Sequence, residues 1–76
     1  MAIIKWKKKV TLVVITGYDE KLDRTTGEED ESFVKDEQTE VDIIESDVLG
    51  YAAIQFGDGS VAYGVPTKLY EIVEED

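Results

Sequence analysis

The feature that most constrains this chain is the stretch over residues 51–65, YAAIQFGDGSVAYGV, where Asp58-Gly59 separates two short apolar segments. Asp-Gly between apolar runs is the strongest local signal for a β-hairpin, because a type I′ turn needs positive φ at both central residues. Asp tolerates that conformation and Gly adopts it without steric cost. The stretch therefore predicts a hairpin with a two-residue turn, although Gly57 leaves open a longer Gly-Asp-Gly loop.

The two-residue turn also predicts which side chains share a face of the hairpin, since side chains alternate along a strand and opposed residues point the same way. The predicted core-facing pairs are Phe56 with Val61, Ile54 with Tyr63, and Ala52 with Val65. The opposite face would hold mostly small residues, suited either to solvent or to the close approach of another backbone: Gln55, Ala62, Ala53 and Gly64. A one-residue slip would scatter the large side chains, so the pattern predicts this register.

Length and composition exclude several classes of protein. The 76 residues predict one domain, residues 1–76, of modest stability, because so short a chain buries only about 60% of its unfolded surface. Cysteine and histidine are absent, which removes disulfides, thiolate chemistry and the commonest metal ligand. No apolar run reaches the roughly 18 residues that cross a bilayer, and the N-terminus has no signal-peptide pattern. We expect a cytoplasmic protein with no cofactor, no metal and no membrane partner.

The charge is strongly acidic and unevenly distributed. The formal net charge is −10, and four of the eight basic residues are Lys5, Lys7, Lys8 and Lys9. The rest of the chain repels nucleic acid and anionic membranes and attracts basic partners. The lysine run beside Trp6 has two interpretations. The lysines could bind a nucleic acid, with a base stacked on the Trp6 ring. Pairing of Lys5, Lys7 and Lys9 with a neighbouring acidic strand fits the total charge better.

The remaining pattern predicts an all-β chain. Residues 1–16 are dense in Val, Ile and Thr and predict one long strand, apolar on both faces beyond Val10. Pro66 ends the hairpin because it has no N–H for the ladder. The other predicted segments are a mobile acidic loop over residues 17–31, a weak strand over 32–38, a strand over 39–47, a 3₁₀ turn over 66–69, a closing strand over 70–73 and a frayed end over 74–76.

The acidic segment was compared with a calcium-binding loop. With Asp19 at position 1 of an EF-hand, Lys21 occupies ligand position 3 and Arg24 replaces the required sixth-position glycine, so the motif fails. A looser oxygen-ligand site over residues 28–31 is an alternative. A solvated acidic loop is the preferred interpretation.

The C-terminal residues resemble a known family. VPTKLYEIV is similar to the P-S-N-Y-V-x-x-I ending of SH3 domains, with Pro66 and Val73 in matching positions. The resemblance implies a five- or six-stranded SH3-like barrel, with VTLVVITGYDE as its opening strand and residues 17–47 as a long acidic RT-type loop. SH3 domains bind proline-rich peptides through paired tryptophans at the start of their third strand and a 3₁₀-turn tyrosine, but this chain has Leu69 at the tyrosine position and no tryptophan in the segment directly before Tyr51.

Tudor and KOW barrels share this outline, and they suggest an aromatic cage for a cation. The candidate cage residues are Tyr51, Phe56, Tyr63 and Tyr70. Because Phe56 and Tyr63 are assigned to the core face of the hairpin, packing is the preferred role for both.

No sequence motif indicates catalysis, so we expect a protein that is not an enzyme. The preferred function is a small acidic interaction module, of the kind that a phage or mobile element uses as a regulator, docking on a basic surface of a protein partner. Its predicted partner-binding residues are Asp19, Glu20, Asp23, Glu28, Glu29, Asp30, Glu31, Asp36 and Glu37. One alternative is a nucleic-acid mimic whose carboxylates imitate phosphates. The other is a structural subunit with an apolar patch around Ala53, Ala62 and Gly64.

Overall fold

The computed structural model describes residues 1–75, which form an all-β domain as predicted. The strands are β1 (Ala2–Trp6), β2 (Val10–Asp19), β3 (Arg24–Phe33), β4 (Gln38–Glu45), β5 (Tyr51–Phe56), β6 (Val61–Pro66) and β7 (Tyr70–Glu75). A single 3₁₀ turn, Thr67–Leu69, joins β6 to β7 within these residues.

The seven strands belong to one antiparallel sheet in the order β3-β2-β6-β5-β4-β1-β7. Within residues 1–75, β3 and β7 each pair on one side only, so the sheet is open. The prediction of a closed five- or six-stranded barrel is therefore wrong in strand number and in closure. The strand number differs because the single strand predicted over residues 1–16 is two strands, β1 and β2, and because β3 forms within the predicted acidic loop in place of the predicted strand over residues 32–38.

The open sheet nevertheless curls around one core. Its fully buried side chains are Trp6, Ile4, Ile54, Val14 and Val65. They come from β1, β2, β5 and β6, whose inward positions alternate with outward ones as strand geometry requires. Alternation along residues 1–16 predicts one shared face for Ile4, Trp6, Val10, Leu12 and Val14. Four of these are buried and Leu12 packs against the core, which confirms the shared face.

The β5–β6 hairpin forms, but its turn has the longer Gly-Asp-Gly loop. The amide of Gly59 donates to the carbonyl of Phe56 (2.9 Å), and the amide of Phe56 donates to the carbonyl of Ser60 (2.8 Å). Gly59 has φ +90°, whereas Asp58 has no positive φ, so the predicted type I′ turn is wrong. A type I turn followed by a left-handed glycine closes three-residue hairpins in this way.

The loop shifts the register near the turn by one residue, and a bulge then reverses the shift. Ile54 lies opposite Ala62 instead of Tyr63, yet Ala52 lies opposite Val65 as predicted. Two residues on β6, Tyr63 and Gly64, therefore oppose one on β5, and Gly64 takes φ +65°. The loop therefore places Val61 and Tyr63 on the outer face, with Tyr63 67% exposed, and buries Ala62, while the bulge returns Val65 to the core. The predicted core position of Val61 is wrong as a result. The predicted core position of Tyr63 is wrong, while Phe56 packs against the core as predicted.

The predicted single strand over residues 1–16 is broken at the lysines. Residues 7–9 form an exposed bend between β1 and β2, and β1 lies between β4 and β7. Lys5 pairs with Glu71 on β7 at 3.1 Å, which confirms the predicted lysine–acid pairing for Lys5. Lys7 and Lys9 form no ion pair with any residue in the range 1–75, so the same prediction is wrong for them.

The predicted mobile loop over residues 17–31 is instead a two-stranded ribbon. β2 continues to Asp19, and β3 returns antiparallel from Arg24. Asp19 nucleates the turn, because its Oδ1 accepts hydrogen bonds from the amides of Lys21 (2.9 Å) and Leu22 (3.3 Å). Asp23 completes the turn with φ 50°. The predicted weak strand over residues 32–38 is wrong, because residues 34–37 form the β3–β4 turn.

The C-terminal third follows the prediction closely. β4 overlaps the strand predicted over residues 39–47 but ends at Glu45, Pro66 ends β6, and the 3₁₀ turn follows it. The closing strand is longer than predicted, since Glu74 pairs with Ile3 and Glu75 with Ala2. The predicted frayed end is wrong for these two residues, and Asp76 lies outside the described residues.

Candidate functional site

The most acidic surface is the outer edge of the sheet, formed by the middle of β3. Residues 28–31 are four consecutive exposed acids on a strand that pairs with β2 alone among the described residues. Alternation divides them between two faces, with Glu28 and Asp30 on one and Glu29 and Glu31 on the other. We call residues 28–31 the acidic edge. It brings together four of the nine predicted partner-binding residues.

Asp19, Glu20 and Asp23 lie at the ribbon tip, beyond the acidic edge. Asp19 caps the turn, and the carboxylate of Asp23 accepts a hydrogen bond from the Tyr18 hydroxyl. That hydrogen bond raises the pKa of Tyr18, with lesser contributions from burial and from Tyr63. The tip acids therefore shape the ribbon, and Glu20 alone is left fully to solvent.

Asp36 and Glu37 lie at the opposite end of β3. The Asp36 amide donates to the carbonyl of Trp6 (2.7 Å), and the Trp6 amide donates to the carbonyl of Glu37 (3.1 Å). The Glu37 carboxylate accepts from the Val34 amide at 3.1 Å. Because a ten-residue strand is roughly 30 Å long, these two acids are separated from the tip. The nine predicted residues therefore form three groups and not one site.

A second feature, which sequence reasoning missed, is an apolar band on the outer face of the sheet. We call Val13, Ile15, Val61 and Tyr63 the outer band. Ile15 on β2 pairs directly with Val61 on β6, and Val13 and Tyr63 are 56% and 67% exposed. A shallow cavity of about 190 Å³ lies against the band and is also lined by Tyr18. The available signal was the apolar run over residues 12–15, which places apolar side chains on both faces of β2.

A larger groove of about 560 Å³ lies at the other side of the molecule, beneath the β4–β5 loop. Its walls include Ile43, Tyr51, Tyr70 and Ile72, while Leu49 in the loop is 98% exposed. The predicted aromatic cage does not form, because its four members are dispersed. Tyr51 and Tyr70 line this groove, Phe56 stacks on Phe33, and Tyr63 belongs to the outer band.

The alternative patch around Ala53, Ala62 and Gly64 does not form either. Ala53 and Ala62 are 8% and 1% exposed, and only Gly64 reaches solvent. Within residues 1–75, no three acidic residues lie close enough together to hold a metal ion. The helical segment described in the same range is a three-residue 3₁₀ turn, too short to cross a membrane.

Comparison with known proteins gives no relative, since no family model, curated protein or solved structure matches the chain.

Proposed function

We propose that this protein is a non-catalytic interaction module that docks on a basic surface of a protein partner through the acidic edge. The observation that carries the proposal is the position of these acids. Four carboxylates stand in sequence on an edge strand, all exposed, and none forms an ion pair within residues 1–75. Their charge is therefore free to act on an approaching partner.

The wider charge distribution supports the same direction of attraction. The net charge of −10 accelerates encounter with cationic surfaces and repels phosphates. The ribbon also projects the charge, since the molecule is 38 Å along its longest axis against 24 and 21 Å across. An elongated acidic projection can reach a basic surface without exposing the core.

We also propose kinship with the SH3-like folds at the level of architecture. Support comes from the β5–β6 hairpin, the terminating Pro66, the 3₁₀ turn and the closing strand β7, in the order that the C-terminal resemblance implies. The open sheet and the β2–β3 ribbon in place of a loop are departures from the implied barrel. The absent tryptophans and Leu69 direct the proposal towards charged surfaces and away from proline-rich peptides.

The test separates local charge from total charge. A fluorescent oligolysine peptide is titrated with the wild type and with a variant in which Glu28, Glu29, Asp30 and Glu31 become Gln or Asn. A matched control neutralises four exposed acids elsewhere: Glu45, Asp47, Glu74 and Glu75. We expect the edge variant to lose about tenfold in affinity or more, and the control two- to threefold at most. Equal losses would show that total charge suffices and would overturn the proposal.

Nucleic-acid mimicry is a second candidate, favoured by the spacing of the acidic edge. Side chains on one face of a strand are about 6.8 Å apart. Phosphates in one DNA strand advance by roughly 3.4 Å along the helix axis, so carboxylates on one face of the acidic edge would match every second phosphate. Mimicry predicts that duplex DNA competes for the partner. In a pull-down from cells of the source organism, release by DNA at constant ionic strength would favour mimicry, whereas release by salt alone favours acidic docking.

A further inference from the structure

Two residues of the outer band, Ile15 and Val61, lie within a continuous row of paired residues that crosses five strands. The pairs Asp42–Gln55, Gln55–Val61, Val61–Ile15 and Ile15–Glu28 link β4 to β3 without interruption. Because opposed residues share a face, all five side chains point outward. At about 4.8 Å per strand, the row is roughly 19 Å long. It is apolar in the middle and has a carboxylate at each end. Within residues 1–75 Glu28 forms no ion pair, whereas Asp42 is paired with the N-terminal ammonium of Met1 at 3.2 Å.

The neighbouring positions repeat this arrangement. Val13 pairs with Asp30, so the acidic edge again lies beside the apolar centre. Tyr63 lies on the same face as Val61 by strand alternation, because the three-residue loop has shifted the register of both. Ile44, 47% exposed, pairs with Ala53 on the far side of Tyr63. Val13, Tyr63 and Ile44 thus widen the apolar centre.

A partner for this face must match both its apolar centre and its acidic borders. A second copy would bring carboxylates against carboxylates across a twofold interface, which like-charge repulsion disfavours. Anionic lipid and nucleic acid are repelled in the same way. A polypeptide segment with apolar side chains flanked by Lys or Arg matches both, since its cations would meet Glu28 and Asp30, which form no ion pair within residues 1–75.

We propose that the outer band binds an amphipathic basic segment of the partner protein. The proposal rests on the proposed docking function and adds a specific surface and a specific partner chemistry to it. The acidic edge attracts and orients the segment, and the outer band then removes its apolar side chains from water. Affinity should therefore depend on apolar content at constant charge.

The experiment uses two peptides of equal length and charge, one alternating lysine with leucine and one alternating lysine with serine, each of about eight residues to span the row. Binding to the full chain is measured by fluorescence anisotropy. We expect the wild type to bind the lysine–leucine peptide about tenfold more tightly. The variant V13T/Y63T should reduce that ratio to near one. The variant V48T/L49T alters apolar residues outside the band that are at least as exposed, and it should preserve the ratio.

Four results would overturn the inference. Equal affinity of the wild type for both peptides would show that the outer band contributes nothing. In that case the proposed docking function would survive if neutralising the acidic edge still weakened binding of the lysine–serine peptide. A ratio unchanged in V13T/Y63T would place the apolar contact elsewhere. A wild-type dimer in sedimentation velocity that V13T/Y63T dissociates would assign the band to a second copy. Failure of both peptides to bind at low salt would remove the proposed function as well.

Discussion

The indole of Trp6 stacks on the ring of Phe33, with centroids 4.7 Å apart and planes inclined by 20°. Trp6 belongs to β1 and Phe33 to β3, and four strands lie between them in the sheet. Phe33 also stacks on Phe56, and Trp6 meets Tyr70 edge to face. This row of four rings holds the curled sheet together by side-chain packing at the place where a barrel would use backbone hydrogen bonds.

The stacked pair gives the first prediction. Replacing Phe33 with Leu retains an apolar side chain but removes both ring contacts, so the free energy of unfolding should fall by about 1–2 kcal/mol. Urea unfolding followed by Trp6 fluorescence measures it, since the single tryptophan is part of the contact. The control is Val34→Ser at the next position, 58% exposed, which should change stability by no more than about 0.5 kcal/mol. Equal effects would show that the rings do not couple β1 to β3.

The hairpin loop gives a second prediction, because its two glycines differ in conformation. Gly59 has φ +90°, so Gly59→Ala should destabilise the protein by about 1–2 kcal/mol through left-handed strain. Gly57 has no positive φ, and a Cβ there would meet nothing within 4 Å. Gly57→Ala should therefore be neutral or stabilising by up to about 1 kcal/mol. Thermal melts of both variants test the contrast. A larger loss at Gly57 would contradict the three-residue loop.

Sequence reasoning predicted the strands whose signal is local. The hairpin, the Pro66 stop, the 3₁₀ turn and β4 follow from turn chemistry and alternation within a few residues. It did not predict β3, because four adjacent acids have low strand propensity. The apolar, β-branched residues of β2 and the Asx turn at Asp19 outweigh that propensity.

The candidate site was predicted only in part, for a related reason. The acids were identifiable from charge, but their division among the edge, the tip and the β3–β4 turn depends on the β2–β3 pairing. The outer band depends on the three-residue loop, which moves Val61 and Tyr63 to the outer face, while the bulge at Gly64 restores the register for Val65. Each shifts side chains by one position, so a two-residue turn placed Tyr63 in the core.

The pKa of Asp58 gives a prediction at acid pH. The hydroxyl of Ser60 donates to Asp58 Oδ1 at 2.6 Å and its amide donates at 3.0 Å, and the hydroxyl contact is the main cause of the lowered pKa. A carboxylate with a lowered folded-state pKa stabilises the fold above its ordinary value of 3.8, and the contribution disappears as pH falls through the folded-state value. Asp58→Asn should therefore lower the melting temperature by a few degrees at pH 7.

The comparison of wild type and Asp58→Asn across pH isolates this group from the other acids. The difference in melting temperature should be constant between pH 7 and pH 5 and should narrow below the ordinary carboxyl value of 3.8. Glu20→Gln, at the exposed ribbon tip, serves as the control for removal of one negative charge. A difference that widened as the pH fell would contradict the assigned role of the Ser60 contact.

Tyr70 gives the corresponding prediction at alkaline pH. It is 6% exposed, and burial raises the pKa of its hydroxyl above the ordinary value of 10.0. Because the folded state favours the neutral phenol, this stability is fully present below pH 10 and is lost as the pH rises through the folded-state value. Tyr70→Phe keeps the ring against Trp6 and removes the ionisable group.

The Tyr70→Phe variant should therefore lose less of its unfolding free energy than the wild type between pH 9 and pH 11. Urea titration at each pH measures this loss. Tyr63→Phe, on the outer band, is the control and should follow the wild type. Parallel losses in wild type and Tyr70→Phe would show that ionisation at this position does not limit alkaline stability.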